Sequence, residues 1–285
     1  MSSPKVFIII LNYNGLDCIK TTLASVLRMD YFSFEVVVVD NNSQDGSFEL
    51  VRREFPKITA IKNSENLGFS AGNNIGIEYA LERGADYIFL LNYDTKIEKS
   101  TLPFLVEIME KEKKVGIASP MIFQGDSSKV WFSGGKINWL KMKSEHMIDK
   151  KAVNYYESDY LSGCAMLIRA EVFRRIGLFD EKFFLYWEDA DFSLRAKKAK
   201  YKLAVYPKSQ MCHFEKSQEK TNKKIYWLVI SGLIFFKKNS PLFLKPWIFF
   251  YVLLRKIKNR RDRKREKNLI NEAVEKAYKD FKYVK

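Results

Sequence analysis

The sequence predicts an α/β fold, with a mostly parallel central sheet flanked by helices and a helical C-terminal extension. Apolar runs rich in β-branched and aromatic residues recur between residues 6 and 91. Segments of helical periodicity separate them, and that alternation implies parallel strands joined by right-handed crossovers. The runs are continuous rather than alternating, as in strands covered on both faces. Charge is also divided along the chain. From Gln218 to Lys285 there are 19 Lys or Arg against 6 Asp or Glu, so this stretch carries +13 of the formal +15. The expected organisation is a near-neutral body over residues 1–217 and a basic, aromatic extension over residues 218–285.

Val6–Leu11 is the first strand, Asn12-Tyr13-Asn14-Gly15 its turn, and Leu16–Leu27 a helix. Phe34–Val39 repeats the strand and stops on Asp40, ahead of Asn41-Asn42-Ser43-Gln44-Asp45-Gly46 and a helix from Ser47 to Glu54. Ile58–Ile61 makes a short third strand. Residues 63–76 read as a loop carrying Asn66, Gly68, Gly72, Asn73 and Asn74, which runs into a helix ending near Arg83. That loop contains neither GxGxxG nor GxxxxGK[ST], so neither a dinucleotide loop nor a P-loop is supported. Tyr87–Leu91 is the next strand and stops on Asn92-Tyr93-Asp94-Thr95. Ligands of open α/β sheets sit beyond the strand carboxyl ends, which directs Asp40, Asn92 and Asp94 towards one site. Taken alone, Asn92–Thr95 reads equally well as a turn before a helix near Ile97. From Val115 short strands and turns take over. Lys141–Asn154 reads as a mobile surface loop, Tyr160–Ile168 as a buried strand and Arg169–Gly177 as a short helix closed by its glycine.

A chain of 285 residues with 47% hydrophobic content can bury a full core. Cys18, Cys164 and Cys212 are odd in number and lack CxxC spacing, which argues against a zinc ribbon and for free thiols in a reducing compartment. No charged-then-apolar leader precedes the first strand, so a cytoplasmic protein is expected. Glu188, Asp189 and Asp191 follow the aromatic block Phe183–Trp187. On a helix beginning near Trp187, Asp191 pairs with Arg195 at i, i+4, and Asp189 is left without a local partner. A carboxylate base beside an aromatic platform suits a sugar acceptor: Trp187 and Glu188 bind it, and Asp189 takes the hydroxyl proton. His213 is one of two histidines, and an imidazole with the Asp94 carboxylate is compatible with a Mn²⁺-type centre.

Six blocks now stand in order: Ile9–Gly15, Val39–Gly46, Asn66–Gly76, Leu90–Asp94, Ser162–Ile168 and Trp187–Asp191. Together, over about residues 5–216, they resemble the inverting family 2 glycosyltransferases of GT-A fold, in the rhamnosyl- and galactofuranosyl-transferase-like branch. The resemblance implies a Rossmann-like sheet in which Asn12, Asp40, Asn66 and a Gly72-Asn73 turn hold the nucleotide. Asn92-Tyr93-Asp94 is then the DxD-equivalent diphosphate and metal motif, with Asn92 standing where the full motif has a carboxylate. Asp189 matches the acceptor-activating base and His213 a metal-binding histidine. The implied reaction moves a hexose from a UDP, dTDP or GDP sugar to a hydroxyl of a glycan or lipid-linked acceptor in cell-surface polysaccharide synthesis, with Mn²⁺ or Mg²⁺.

The extension holds two apolar runs, Ile225–Phe236 and Leu242–Leu254, each shorter than the roughly 20 residues that span a bilayer. Arg255–Lys267 then carries nine basic residues against two acids. Aromatic segments followed by a polybasic helix suit an anionic membrane surface, which predicts peripheral attachment to the inner face of the membrane. The other reading packs the runs on the body or in a homo-oligomer interface. Two rival functions are weaker. A nucleic-acid-binding protein would spread its positive charge over the body, which is nearly neutral, and a nucleotidyltransferase would need a glycine-rich, lysine-containing loop near the N-terminus.

Overall fold

The computed structural model describes residues 3–149, 153–215, 222–265 and 269–283. In chain order the first part runs β1 (Val6–Asn12), α1 (Leu16–Val26), β2 (Phe34–Asp40), α2 (Ser47–Glu54), β3 (Thr59–Lys62), α3 (Gly68–Glu82) and β4 (Tyr87–Asn92). It continues with β5 (Thr95–Ile97), α4 (Thr101–Lys111), β6 (Val115–Gln124), β7 (Val130–Phe132), β8 (Gly135–Asn138), β9 (Lys143–His146) and β10 (Tyr156–Glu157). Then come β11 (Ala165–Arg169), α5 (Ala170–Ile176), α6 (Glu188–Lys198), β12 (Lys202–His213), α7 (Asn222–Asn239), α8 (Lys245–Arg265) and α9 (Leu269–Asp280).

The main sheet has the order β10-β12-β6-β11-β4-β1-β2-β3. Its β3-β2-β1-β4 half is parallel. Val6–Ile10, Val36–Val39 and Ile88–Leu90 are all buried, as unbroken apolar strands between two helical layers require. The other half is mixed, because β11 inserts antiparallel between β4 and β6. Register aligns the functional strand ends: Asn12 lies opposite Asp40, and Leu11 opposite Asn92.

Several local expectations are corrected. The stretch read as a loop over 63–76 is helical from Gly68, so Gly72 and Asn73 sit inside α3 rather than in a turn. Gly72 is there for packing: a Cβ would come within 2.6 Å of Leu11 Cδ1, so the missing side chain lets α3 approach β1 closely. Thr95–Ile97 is a strand, and the next helix begins at Thr101. Of the stretch 160–168 only residues 165–168 lie in a named strand, which runs on to Arg169. Lys143–His146 is no loop but pairs with β8 as a hairpin.

The first apolar run of the extension packs on the body. On α7, Ile230, Ile234, Phe235 and Phe236 are buried in the same core as the sheet. The packed core therefore extends past residue 217 into α7, and the expected boundary at 217/218 itself lies outside the described residues. No helix among the described residues is long and apolar enough to cross a membrane.

Candidate active site

The site forms at the carboxyl end of β4, where three chain segments meet. β5 pairs antiparallel with β12, with Thr95 opposite His213 and Ile97 opposite Met211. The ladder extends one step further, because the Phe214 amide donates to the Asp94 carbonyl oxygen at 2.8 Å. This register brings residues 94 and 213, distant in sequence, side by side: His213 Nε2 lies 3.2 Å from Asp94 Oδ1. His213 is 5% exposed. Burial opposes charge on its ring, but the adjacent Cys164 thiol and Asp94 carboxylate outweigh burial and raise its pKa.

This pair fits a divalent cation. Asp94 Oδ1 is buried without an aligned hydrogen bond, and two ligands about 2.1 Å from an octahedral ion on adjacent corners lie about 3 Å apart. No cluster of three or more His, Cys, Asp or Glu able to hold a metal occurs among the described residues. The described chain thus offers two ligands and leaves the remaining positions to water or to phosphate oxygens, a set that suits Mg²⁺ or Mn²⁺. Asn92 makes its backbone bonds within the fold: its amide donates to Cys164 O, and its carbonyl accepts Thr95 Oγ1.

Asp189 lies in the first turn of α6. Its Oδ2 accepts the Gly163 amide at 3.0 Å and Oδ1 accepts the Ala190 amide at 2.7 Å. Gly163 precedes Cys164, whose carbonyl holds Asn92, so one short segment joins the Asp189 side to the Asp94 side. Burial raises the Asp189 pKa, although amide donors work against it. Glu188 is raised further, first by burial and then by the charge of Asp189, and its Oε2 is buried without a partner. Both acids are thus biased towards the protonated form, and Glu188 more strongly, because it also faces the charge of Asp189.

The backbone that presents this pair is strained. Tyr186 and Trp187 both have left-handed conformations, at φ 68° and 71°, each costing roughly 1–3 kcal/mol. The surroundings over-determine it. Ser231 Oγ of α7 donates to Leu185 O, and the Trp187 ring packs 4.9 Å from Phe235 and 5.1 Å from Phe236. Asp191, fully buried, accepts hydrogen bonds from Arg195, Lys238 and Asn239. The expectation for Trp187 is corrected here: the indole is 7% exposed, with its faces against α7, so it is no open sugar platform.

Of the residues expected on the nucleotide side, Asn12 and Asp40 meet directly, and their hydrogen bonds are those of scaffold. Asp40 is 0% exposed. Its Oδ2 accepts Asn12 Nδ2 and Ser43 Oγ, and its Oδ1 accepts the Ser43 amide. Asp40 thus shapes the 41–46 turn rather than pointing into open space. Asn12 also donates to Ser47 Oγ, which ties β1 to α2. Asn66 Oδ1 accepts the Gly68 amide and begins α3, and Asn73 donates back to Phe69 O. Sequence reasoning passed over Asn41, whose side chain bridges Asn63, Asn66 and Gly68 O. It also passed over Tyr13, 44% exposed beside this network. The Asn-rich composition of both turns was the available signal for Asn41.

Residues 7–177 match the model of glycosyl transferase family 2. The chain belongs to this family. A hexosyltransferase of low-salt glycan biosynthesis from Haloferax volcanii, Agl10, is 31% identical over 195 residues, covering 67% of this chain and 61% of that protein. An N-acetylglucosaminyl-diphospho-decaprenol L-rhamnosyltransferase of Mycobacterium tuberculosis is 23% identical, covering 72% of this chain and 75% of its own. Among solved structures, the mannosyltransferase PcManGT of Pyrobaculum calidifontis, in complex with GDP-Man and Mn²⁺, superposes with a TM-score of 0.62. It is 17% identical over 87% of this chain and 69% of its own, a likeness of fold. The family 2 chain described here thus has the GT-A fold that its motifs imply.

Proposed function

We propose that this family 2 protein transfers a hexose from a nucleotide diphosphate sugar, with UDP, dTDP or GDP as carrier, to a hydroxyl of a glycan or lipid-linked acceptor, inverting the anomeric centre. One observation carries the reading: Asp94 is paired with His213, and Asp189 accepts from the Gly163 amide, whose neighbour Cys164 holds Asn92 of the same strand end. A carboxylate–imidazole pair and a second carboxylate linked through one short segment suit a reaction that stabilises a leaving diphosphate and accepts a proton. Asp94 and His213 would hold the divalent cation, which supplies positive charge to the departing diphosphate. Asp189 takes the acceptor proton as the hydroxyl oxygen bonds to the anomeric carbon, and the diphosphate leaves with the electron pair of the broken bond. The amides of Gly163 and Ala190 hold the carboxylate in one orientation. Glu188 Oε2, buried beside it without a hydrogen-bond partner, would meet an acceptor hydroxyl if the acceptor reaches it. The strained Tyr186–Trp187 turn, clamped by α7, fixes both acids.

A lipid-linked acceptor at the inner face of the membrane fits the basic extension, and the mycobacterial relative is named for a diphospho-decaprenol acceptor. The test is thermal stabilisation by a panel of UDP, dTDP and GDP sugars with Mn²⁺ or Mg²⁺. Binding to the folded state alone raises Tm by mass action. One nucleotide class should stabilise in a cation-dependent way; a flat panel would remove the donor assignment.

A further inference from the structure

α7 is committed to the core, so any membrane contact of the extension must be made elsewhere. A 3₁₀ turn over Leu242–Leu244 and the first half of α8 offer that surface. Leu242 and Phe243 are each 80% exposed and Phe249 is 76% exposed. Phe250, Leu253 and Ile257 continue the stripe at helical spacing. The opposite side of α8 is occupied: Ile248 is 8% exposed, and Val252 packs against the core. Trp247 Nε1 donates to Leu140 O at 3.0 Å, which ties this surface to the tip of the β8–β9 hairpin, where Leu140 is itself exposed. Lys245 and, beyond the stripe, Lys258, Arg260 and Arg261 are exposed around it.

We propose that the outer face of residues 242–257 is a docking surface for an anionic lipid bilayer, lying in the headgroup and acyl boundary. This rests on the membrane-proximal reading above and narrows it to one face. Chemistry selects the occupant. No charged residue occurs from Trp247 to Leu254, so the centre of the face offers nothing to a phosphate backbone, which rules against nucleic acid. A second copy packed on the same face would bring Lys258, Arg260 and Arg261 towards their equivalents, like charge against like. An anionic bilayer accepts both parts, apolar side chains below the headgroups and basic ones among them. Thirteen residues of α8, Lys245 to Ile257, span about 20 Å at 1.5 Å per residue, which suits a helix lying along the surface rather than across it.

The experiment is flotation of the full chain with phosphatidylcholine vesicles, with and without phosphatidylglycerol, at low and high salt. Binding should require phosphatidylglycerol and weaken with salt. Phe243→Asp with Phe249→Asp should reduce binding at least tenfold with Tm unchanged, since both side chains are exposed. Arg260→Gln with Arg261→Gln should reduce it by roughly tenfold and flatten the salt dependence. Three outcomes would overturn the proposal: wild-type vesicle binding by the double Asp variant, a dimer in light scattering that the same variant dissociates, or salt-sensitive binding to an oligonucleotide in place of vesicles. Nucleotide-sugar stabilisation, measured in parallel, reports separately on the catalytic reading, so failure of one is distinguishable from failure of the other.

Discussion

Asp189 and Glu188 are neighbouring acids whose pKa values burial raises, and the consequences can be measured. Asp189→Asn removes the base and keeps an acceptor for only one of the Gly163 and Ala190 amides, so transfer should fall by on the order of 10²–10⁴-fold while nucleotide-sugar stabilisation of Tm persists. Because burial raises the Asp189 pKa, transfer should fail on the acid side at a pH above the ordinary carboxylate range, and pH–rate profiles would show it. Glu188 makes a stability statement. Its folded pKa is raised, so its favourable contribution is present below the unfolded value and lost as pH rises through the folded one. Glu188→Gln, which never ionises, should therefore raise Tm at pH 8 to 9 and leave it unchanged at pH 4; a shift independent of pH would contradict the buried, protonated assignment.

At the scale of elements, α3 and the 183–189 segment brace one another. Gly68 has φ 79°, and a Cβ there would fall on the Phe184 carbonyl oxygen. The next residue, Phe69, donates its amide to that same oxygen at 2.6 Å. Asn74 holds the chain further upstream through both the amide and the carbonyl of Phe179. Gly68→Ala should cost at least about 2 kcal/mol by denaturant unfolding, combining a left-handed backbone with a backbone clash. The sequence signalled glycine and asparagine density here but read it as a loop. Asparagine side chains that cap and bridge have the same composition as those in a turn, and only the partners on other elements distinguish them.

At the scale of the molecule, the extension divides by role. α7 supplies Phe235 to the Trp187 contact and Lys238 and Asn239 to Asp191, so it belongs to the catalytic body. α9 covers α7, with Ala273 and Ala277 buried and Tyr226 Oη donating to Asp280 Oδ2. Deleting residues 218–285 should therefore abolish cooperative unfolding and nucleotide-sugar stabilisation together, by circular dichroism and thermal shift. A folded, donor-binding fragment would show that α7 is dispensable. Asp94→Ala should remove cation-dependent donor stabilisation in the full chain, with EDTA reproducing the effect on the parent protein.

The sequence by itself determined the fold class, the strands β1, β2 and β4, the order of the motifs and the residue types gathered at the strand ends. Continuous apolar runs and abrupt polar stops are local properties of the chain, legible wherever burial alone dictates composition. Tertiary structure decided what each polar group faces. Asp40 turned inward because Asn12 and Ser43 satisfy it, Trp187 closed against α7, and His213 reached Asp94 through the β5–β12 register. Those outcomes depend on pairing between segments far apart in the chain, which hydrophobic pattern constrains only as buried or exposed, not by partner.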